Sequence, residues 1–506
     1  MGHDVAAVVR EIERKYDVTG ANTAQLDSVP GAASVSPATE EVLDAVYYDT
    51  EDLRLIRSGI TLRQRSGGPD AGWHLKLPAG TDARDEIRLP ATGPGGPVPE
   101  ELARLVRVRT RGAPPLPIVR IRTVRDRRQL LDQDGRPLAE IAVDKVRATP
   151  IGGVGATSWE ELEVELVAGD RQLLMAVDAR LRAAGARPAA ARSKLARALG
   201  DRLGGVTTGA VAEPVSLTPD SPAADVVLAY LRTQVDAITY FDPLVRRSRP
   251  DAVHQMRVAI RRVRSALQAF GEIVDRAHTR PLGGELRWLA TTLGRERDAE
   301  VLLARLRKLL AAISAELVSG PVEERITGHF TSELAQAHAA VVRDLDGPRY
   351  FALLDALDAL VESPPLTPDA SCPASEALRR PVRRAAKRLK RALKNIPDQD
   401  QDQDQDQHRD KDAAIHEARK AAKRARYVAD AAKPALADRA RRQAVRAKAL
   451  QTLLGDHHDS VVAREFLRRL AEQAHAAGED TFTYGVMYER EATAARDIER
   501  SLAKTG

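Results

Sequence analysis

Cysteine is nearly absent from the 506 residues: Cys372 stands alone. No internal disulfide framework and no cysteine-rich metal site can be built from it. Aromatic residues are scarce, at 4%. No apolar run approaches the roughly 18 residues that a membrane span needs. The opening MGHDVAAVVREIERKY lacks the charged-then-apolar order of a signal peptide. These absences predict a cytoplasmic protein with no membrane association. Charge is what the chain has in quantity. Asp, Glu, Lys and Arg make up 30% of it, and the formal net charge is +6. Arg and Lys gather in runs, and such runs suit an anionic partner: nucleic acid, a membrane surface or a phosphate polymer.

The length allows two to four domains, and two regions read differently. Up to about residue 170, short alternating segments are separated by Gly- and Pro-containing turns, which is the signature of strands. Residues 204–220 hold Gly, Thr and Pro without periodicity and read as a linker. Beyond them nearly everything reads as helix. The exception is the acidic low-complexity run PDQDQDQDQDQH from Pro397, for which disorder over 397–410 is expected. The predicted class is α+β, with an N-terminal antiparallel barrel over 1–203 and an all-α duplicated bundle over 221–506.

Along a strand, alternate residues share a face. In EIERKY, Glu11, Glu13 and Lys15 fall on one face and Ile12 and Arg14 on the other. Arg63 and Arg65, His74 and Lys76, Glu86 and Arg88, and Arg120 and Arg122 pair in the same way. In ELEVELV, Glu161, Glu163 and Glu165 line one face. Any one such strand is ordinarily a solvated face; six together are not. If the sheet closes, the charged faces can all turn inward, where unpaired charge demands ions or a charged ligand.

EIERK resembles the ExExK signature of the CYTH proteins, the triphosphate tunnel metalloenzymes. YYDTEDLRL from Tyr47, LRQR from Leu62, HLKLP from His74, VDKV from Val143, ELEVEL from Glu161 and SKL from Ser193 follow in the family's order. The resemblance implies an eight-stranded tunnel that binds a triphosphate together with Mg²⁺ or Mn²⁺. It implies Glu11, Glu13, Glu161 and Glu163 as metal-binding acids, assisted by Asp144. Glu11, Glu13, Lys15, Glu161 and Glu163 would form the catalytic set. Lys15, Arg63, Arg65, Lys76, Arg120, Arg122 and Lys194 would grip the phosphates. The pair Arg120 and Arg122 departs from the commoner Lys-x-Arg, which bears on substrate detail.

The helical region repeats itself. VHQMRVAIRRVRSAL from Val253 corresponds to IHEARKAAKRARYVA from Ile415, and LGRERDAEVL from Leu293 to LGDHHDSVVA from Leu454. The offsets, 162 and 161 residues, argue for internal duplication. His254, Arg257, Arg261 and Arg264 follow one helical stripe beside an apolar one of Val253, Met256, Ile260, Val263 and Leu267. His416, Arg419, Lys423 and Arg426 do the same in the second copy. Arg380, Arg384, Lys387 and Arg391 form a third ridge. Stacked cations repel one another unless a polyanion neutralises them. The pattern resembles the CHAD domain, which implies two four-helix halves and a basic surface that binds inorganic polyphosphate at these positions. Asp456–Asp459, reading DHHD, sits inside the helical repeat and is not expected to hold a metal.

The reading is a phosphoanhydride hydrolase acting on inorganic triphosphate, coupled to a polyphosphate binder and associated with polyphosphate granules. Rival readings are an adenylyl cyclase or thiamine triphosphatase of the same barrel, or a non-catalytic polyphosphate-binding protein. Nucleic acid is disfavoured, because few aromatics accompany the basic ridges. Oligomeric state is left open.

Overall fold

The computed structural model describes residues 7–17, 26, 29–80, 83–91, 93, 96–204, 216–397 and 405–503. The chain divides into two compact units, Met1–Val215 and Ser216–Gly506. Most of the expected linker, 205–215, lies outside the described residues.

Among the described residues the first unit is built on ten strands: β1 (Ala7–Asp17), β2 (Ser34–Val35), β3 (Thr39–Asp49), β4 (Thr61–Ser66), β5 (Gly72–Pro78), β6 (Ala83–Leu89), β7 (Leu116–Leu131), β8 (Pro137–Pro150), β9 (Thr157–Leu166) and β10 (Arg187–Pro188). Eight of them close an antiparallel barrel in the order β1-β6-β5-β4-β3-β7-β8-β9, with β9 returning to β1; β2 and β10 only extend β7 and β1. The closing register sets Lys15 opposite Glu163, Glu13 opposite Glu165 and Asp17 opposite Glu161. The acid-and-lysine row of β1 therefore meets the acid row of β9 directly.

Alternation decides which side chains go out. Leu162 and Val164 leave the barrel and pack with Tyr16 and Ile141 under Leu173, Leu174, Val177 and Leu181 of the helix Arg171–Ala183. Trp73, Leu75 and Ile87 do likewise under Leu102, Leu105 and Val106 of the helix Glu100–Thr110. A third helix, Lys194–Leu199, starts at Ser193, whose hydroxyl accepts from the Ala196 amide at 3.1 Å. Its Leu195 and Leu199 pack against Ala45, Tyr47, Val119, Ile121 and Ala148. Ala45, Tyr47 and Ile121 also line the barrel cavity, so this helix closes the interior at one end.

The second unit is helical. Its first half contributes Ala223–Arg246, Ala252–Ala269, Arg276–Ala311 and Val322–Leu345; its second, Arg379–Lys394, Gln405–Ala431, Lys433–Ala476 and Phe482–Ala503. The helix Pro348–Glu362 lies between them in sequence. The apolar stripes are buried as periodicity requires: Val253, Met256, Ile260, Val263 and Leu267 in one copy, Ile415, Ala418, Ala422 and Ala425 in the other. The acidic insert is corrected at one end. Residues 398–404 lie outside the described residues, but from Gln405 the chain is helical. A helix anchored by Ile415 and Ala418 extends back over 405–410, where disorder was expected. Among the described residues, no helix is long and apolar enough to cross a membrane.

Candidate functional site

The barrel encloses a cavity of about 430 Å³. Among the described residues nine cationic side chains line it (Lys15, Arg63, Arg65, Lys76, Arg84, Arg88, Arg125, Arg127 and Lys194), against eight acidic ones (Glu11, Glu13, Glu41, Asp70, Glu86, Glu140, Glu163 and Glu165). The interior thus compensates its own charge almost completely, as burial demands.

Three carboxylates come together: oxygens of Asp144, Glu161 and Glu163 lie within 4.8 Å of one another. The Lys194 ammonium sits among them, 2.8 Å from Asp144, 2.8 Å from Glu161 and 2.7 Å from Glu163. Arg125 clamps Asp144 with two bonds of 2.8 and 2.7 Å and reaches Glu163 at 2.8 Å. Lys15 also bonds Glu163. Burial opposes ionisation of Glu163, yet Lys15, Lys194 and Arg125 hold its carboxyl well below the usual range. Burial likewise opposes the charge of Lys194, and Glu163, Asp144 and Glu161 overcome it, raising the ammonium's pKa.

Hard carboxylate oxygens clustered this tightly suit Mg²⁺ or Mn²⁺, and an ammonium already marks the cation position. The donor set fits a divalent metal. Only three of the five expected metal ligands are in it. Glu11 accepts from Lys76 at 2.5 Å, and Glu13 pairs with Lys15 at 3.3 Å and Arg84 at 4.0 Å.

Of the expected phosphate-binding residues, Lys15, Arg63, Arg65, Lys76 and Lys194 line the cavity. Arg63 donates to the Tyr47 hydroxyl at 3.2 Å, while the buried Nε atoms of Arg63 and Arg65 find no partner among the described residues. Burial pulls the Arg65 guanidinium down to about 9, with Arg63 and Arg125 adding to the effect. Arg120 and Arg122 are corrected: both are exposed on the outside of β7, and Arg120 pairs there with Asp44. The inward face of that strand is Ile121, Thr123, Arg125 and Arg127. Val119 and Ile121 turn inward to meet Leu195 and Leu199, which carries Arg125 and Arg127 in with them.

Arg125, Arg127 and Glu140 escaped the sequence reading; the available signal was that β7 carries arginines at both parities. Glu165, noted on the acidic face but given no role, lies directly opposite Glu13. Burial, with Glu11 and Glu13 nearby, pushes its carboxyl up to about 7.

In the helical unit the two copies converge. Lys423 is depressed to about 7, first by burial and then by Arg419, Arg261 and Arg257, which draws both ridges into one cluster. The His416 and His458 rings are 5.0 Å apart, and Arg297 adjoins His254. Equivalent ion pairs flank the cluster: Arg257 with Asp298 at 2.8 Å and Arg419 with Asp459 at 3.5 Å. A glycine recurs beside each arginine. A Cβ at Gly294 would stand 3.2 Å from Arg257, and one at Gly455 3.9 Å from Arg419. Buried Nε atoms of Arg257, Arg261, Arg264, Arg297 and Arg419 have no hydrogen-bond partner among the described residues.

Not every ridge residue joins. Arg264 extends the surface towards Arg287 and Arg424. Arg426 turns to Gln451 at 3.4 Å and Asp430 at 3.7 Å. Arg380 and Arg384 share Glu272, Arg391 is exposed, and Lys387 borders a separate cavity of about 880 Å³. In DHHD, His457 is buried against Glu499 at 3.0 Å, and His458 belongs to the cationic cluster.

A CYTH domain family model matches residues 9–190, and a CHAD domain model matches residues 229–468. The chain is a CYTH–CHAD protein. An uncharacterized protein of Mycobacterium tuberculosis is 41% identical to it over 517 residues, covering 97% of this chain and 94% of that one. Among solved structures, PptA from Streptomyces chartreusis is 23% identical with a TM-score of 0.47, over 56% of this chain and 99% of that one. The CHAD domain from Ricinus communis is 26% identical with a TM-score of 0.44, over 57% of this chain and 95% of that one. As a CYTH protein the chain belongs to the triphosphate tunnel family, whose members act on phosphoanhydrides with a metal ion.

Proposed function

We propose that the barrel hydrolyses inorganic triphosphate and that the helical unit binds inorganic polyphosphate. The observation that carries the first part is the pairing of a three-carboxylate cation site with a cavity walled by nine cations. A bound Mg²⁺ or Mn²⁺ at Asp144, Glu161 and Glu163 would supply Lewis-acid charge stabilisation. Arg63, Arg65, Lys76 and Arg125 bind and orient phosphate oxygens from several walls, so charge developing on the transferred phosphoryl meets fixed donors. Water oxygen bonds to the terminal phosphorus, the bridging P–O bond breaks, and orthophosphate and diphosphate leave.

The helical reading rests on buried guanidinium Nε atoms without partners among the described residues and on a lysine whose charge is suppressed first by burial and then by its cationic neighbours. A polyanion along the cluster would offset this concentration of positive charge. Competition between RNA and polyphosphate at matched salt separates the two polyanions.

The deciding experiment is phosphate release by the purified chain with Mg²⁺ or Mn²⁺ from triphosphate, ATP, thiamine triphosphate and long polyphosphate, with Glu163→Gln alongside. Release chiefly from triphosphate, lost in the variant, is expected. Silence on all four substrates, with polyphosphate still bound, overturns the enzyme reading.

A further inference from the structure

The ammonium of Lys194 occupies the place a metal ion would take. Its nitrogen is within 2.8 Å of all three carboxylates of Asp144, Glu161 and Glu163. Carboxylate oxygens this close repel unless a cation stands between them. A divalent ion and an ammonium cannot share that position, for the same reason. Lys15 reaches only Glu163 of the trio; the two cations that hold more than one of its members, Arg125 and Lys194, differ in how easily they leave. Arg125 is a rigid fork locked on Asp144 by two bonds and on Glu163 by a third. Lys194 is a point charge on a flexible stem.

Its backbone is anchored independently of the trio. Ser193 caps the helix that Lys194 begins, and Leu195 and Leu199 are buried in the plug of the barrel end. The side chain can therefore swing without unpacking the helix. It has somewhere to go, because Lys194 also lines the 430 Å³ cavity beside Lys15 and Tyr47.

We propose that Lys194 is the resident cation of the acidic trio, that a divalent metal enters by displacing its ammonium, and that the released ammonium then grips the phosphate anion. Metal binding and anion binding are coupled through this one side chain. Each therefore tightens the other by the same factor. The proposal rests on the reading of the trio as the metal site.

The test is Mn²⁺ binding to the full chain without any phosphate anion, followed by calorimetry and by the Mn²⁺ paramagnetic resonance signal. Wild type, Lys194→Met and Glu163→Gln are compared. Lys194→Met is expected to bind Mn²⁺ about tenfold more tightly, within the range typical of coupled sites, and Glu163→Gln more weakly. A second measurement uses wild type alone, in case Lys194→Met does not fold. Modification of Lys194 by an amine-reactive reagent, read by mass spectrometry, is expected to rise severalfold as Mn²⁺ saturates. Equal or weaker Mn²⁺ binding by folded Lys194→Met, with Glu163→Gln still impaired, overturns the lysine exchange and leaves the metal site standing. Labelling that does not change with Mn²⁺ overturns it equally. Mn²⁺ binding that is absent, or indifferent to Glu163→Gln, overturns the metal site and the exchange with it.

Discussion

The barrel and the helical cluster are both rich in Arg and Lys, but they treat those charges in opposite ways. Inside the barrel cations of one strand meet acids of another, so that Lys76 meets Glu11, Lys15 meets Glu163, and Arg125 meets Asp144. At the junction of the two helical copies, Arg257, Arg261, Arg419 and Lys423 face one another, with acids such as Asp298, Asp459 and Glu300 pairing at the edges. The first arrangement is balanced before any ligand arrives. It suits a ligand that brings both signs, a metal and a phosphate together. The second is unbalanced and suits a partner that brings negative charge alone. The difference shows directly in two lysines. Carboxylates raise the pKa of Lys194, whereas burial and like charge bring Lys423 down to about 7.

The sharpest way to break this comparison is Glu163→Gln. It removes the carboxylate that Lys15, Arg125 and Lys194 share. Hydrolysis is expected to fall about 10²–10³-fold, the scale for losing one preorganised electrostatic partner. Polyphosphate binding, measured on the same preparation, is expected to stay unchanged. Parallel loss of both would mean that the two units do not act separately.

The converse variant is Arg419→Met, which takes one cation from the cluster. Polyphosphate affinity at low salt is expected to drop about tenfold, and the dependence of log affinity on log salt to flatten by about one unit per cation removed, as counterion release requires. Triphosphate hydrolysis is expected to be untouched. A salt slope equal to that of wild type would place the polyanion elsewhere.

A smaller effect comes from pH. Lys423 loses its proton near 7 in the folded chain, against an ordinary 10.5. Between those values the unfolded chain holds more protons, so stability without ligand climbs with pH across the window and is at its lowest below it. Polyanion binding favours the charged lysine, so affinity is expected to rise as pH falls through 7, with proton uptake at pH 8. Melting temperatures and binding titrations from pH 6 to 10 check both trends, and Lys423→Met should remove them.

The smallest effect is expected at Arg120→Ala and Arg122→Ala, which lie outside the barrel. Hydrolysis should stay within about twofold of wild type, since exposed pairs contribute little. A large loss at either position would mean that β7 presents its other face to the substrate.

Which parts of this were legible in advance follows from the range of the interactions concerned. Glu11, Glu13 and Lys15, and Glu161 and Glu163, could be read as one-sided rows because alternation along a strand is local, and in the second row the opposite positions, Leu162 and Val164, are apolar. The helical copies could be read because a stripe repeated at a near-constant offset is visible in the chain itself. β7 could not be read this way. It carries Arg120 and Arg122 at one parity and Arg125 and Arg127 at the other. The choice between them was made by Leu195 and Leu199, which draw Val119 and Ile121 inward from more than 70 residues away in the chain. Arg426 shares its frame with Arg264, yet it is diverted by Asp430, one turn on where the first copy has Gln268, and by Gln451 of the next helix, which no local spacing signals.

The amino-acid sequence by itself determined the strand faces, the helical stripes and the duplication, because each depends on the period of the backbone within one element. Tertiary structure alone decided which acids share a cation and which arginines turn inward. Lys15 stands opposite Glu163, 148 residues away, and Lys194 reaches Asp144 across 50. Those meetings depend on how β1 closes against β9 and how the barrel end is plugged, and no local period encodes either.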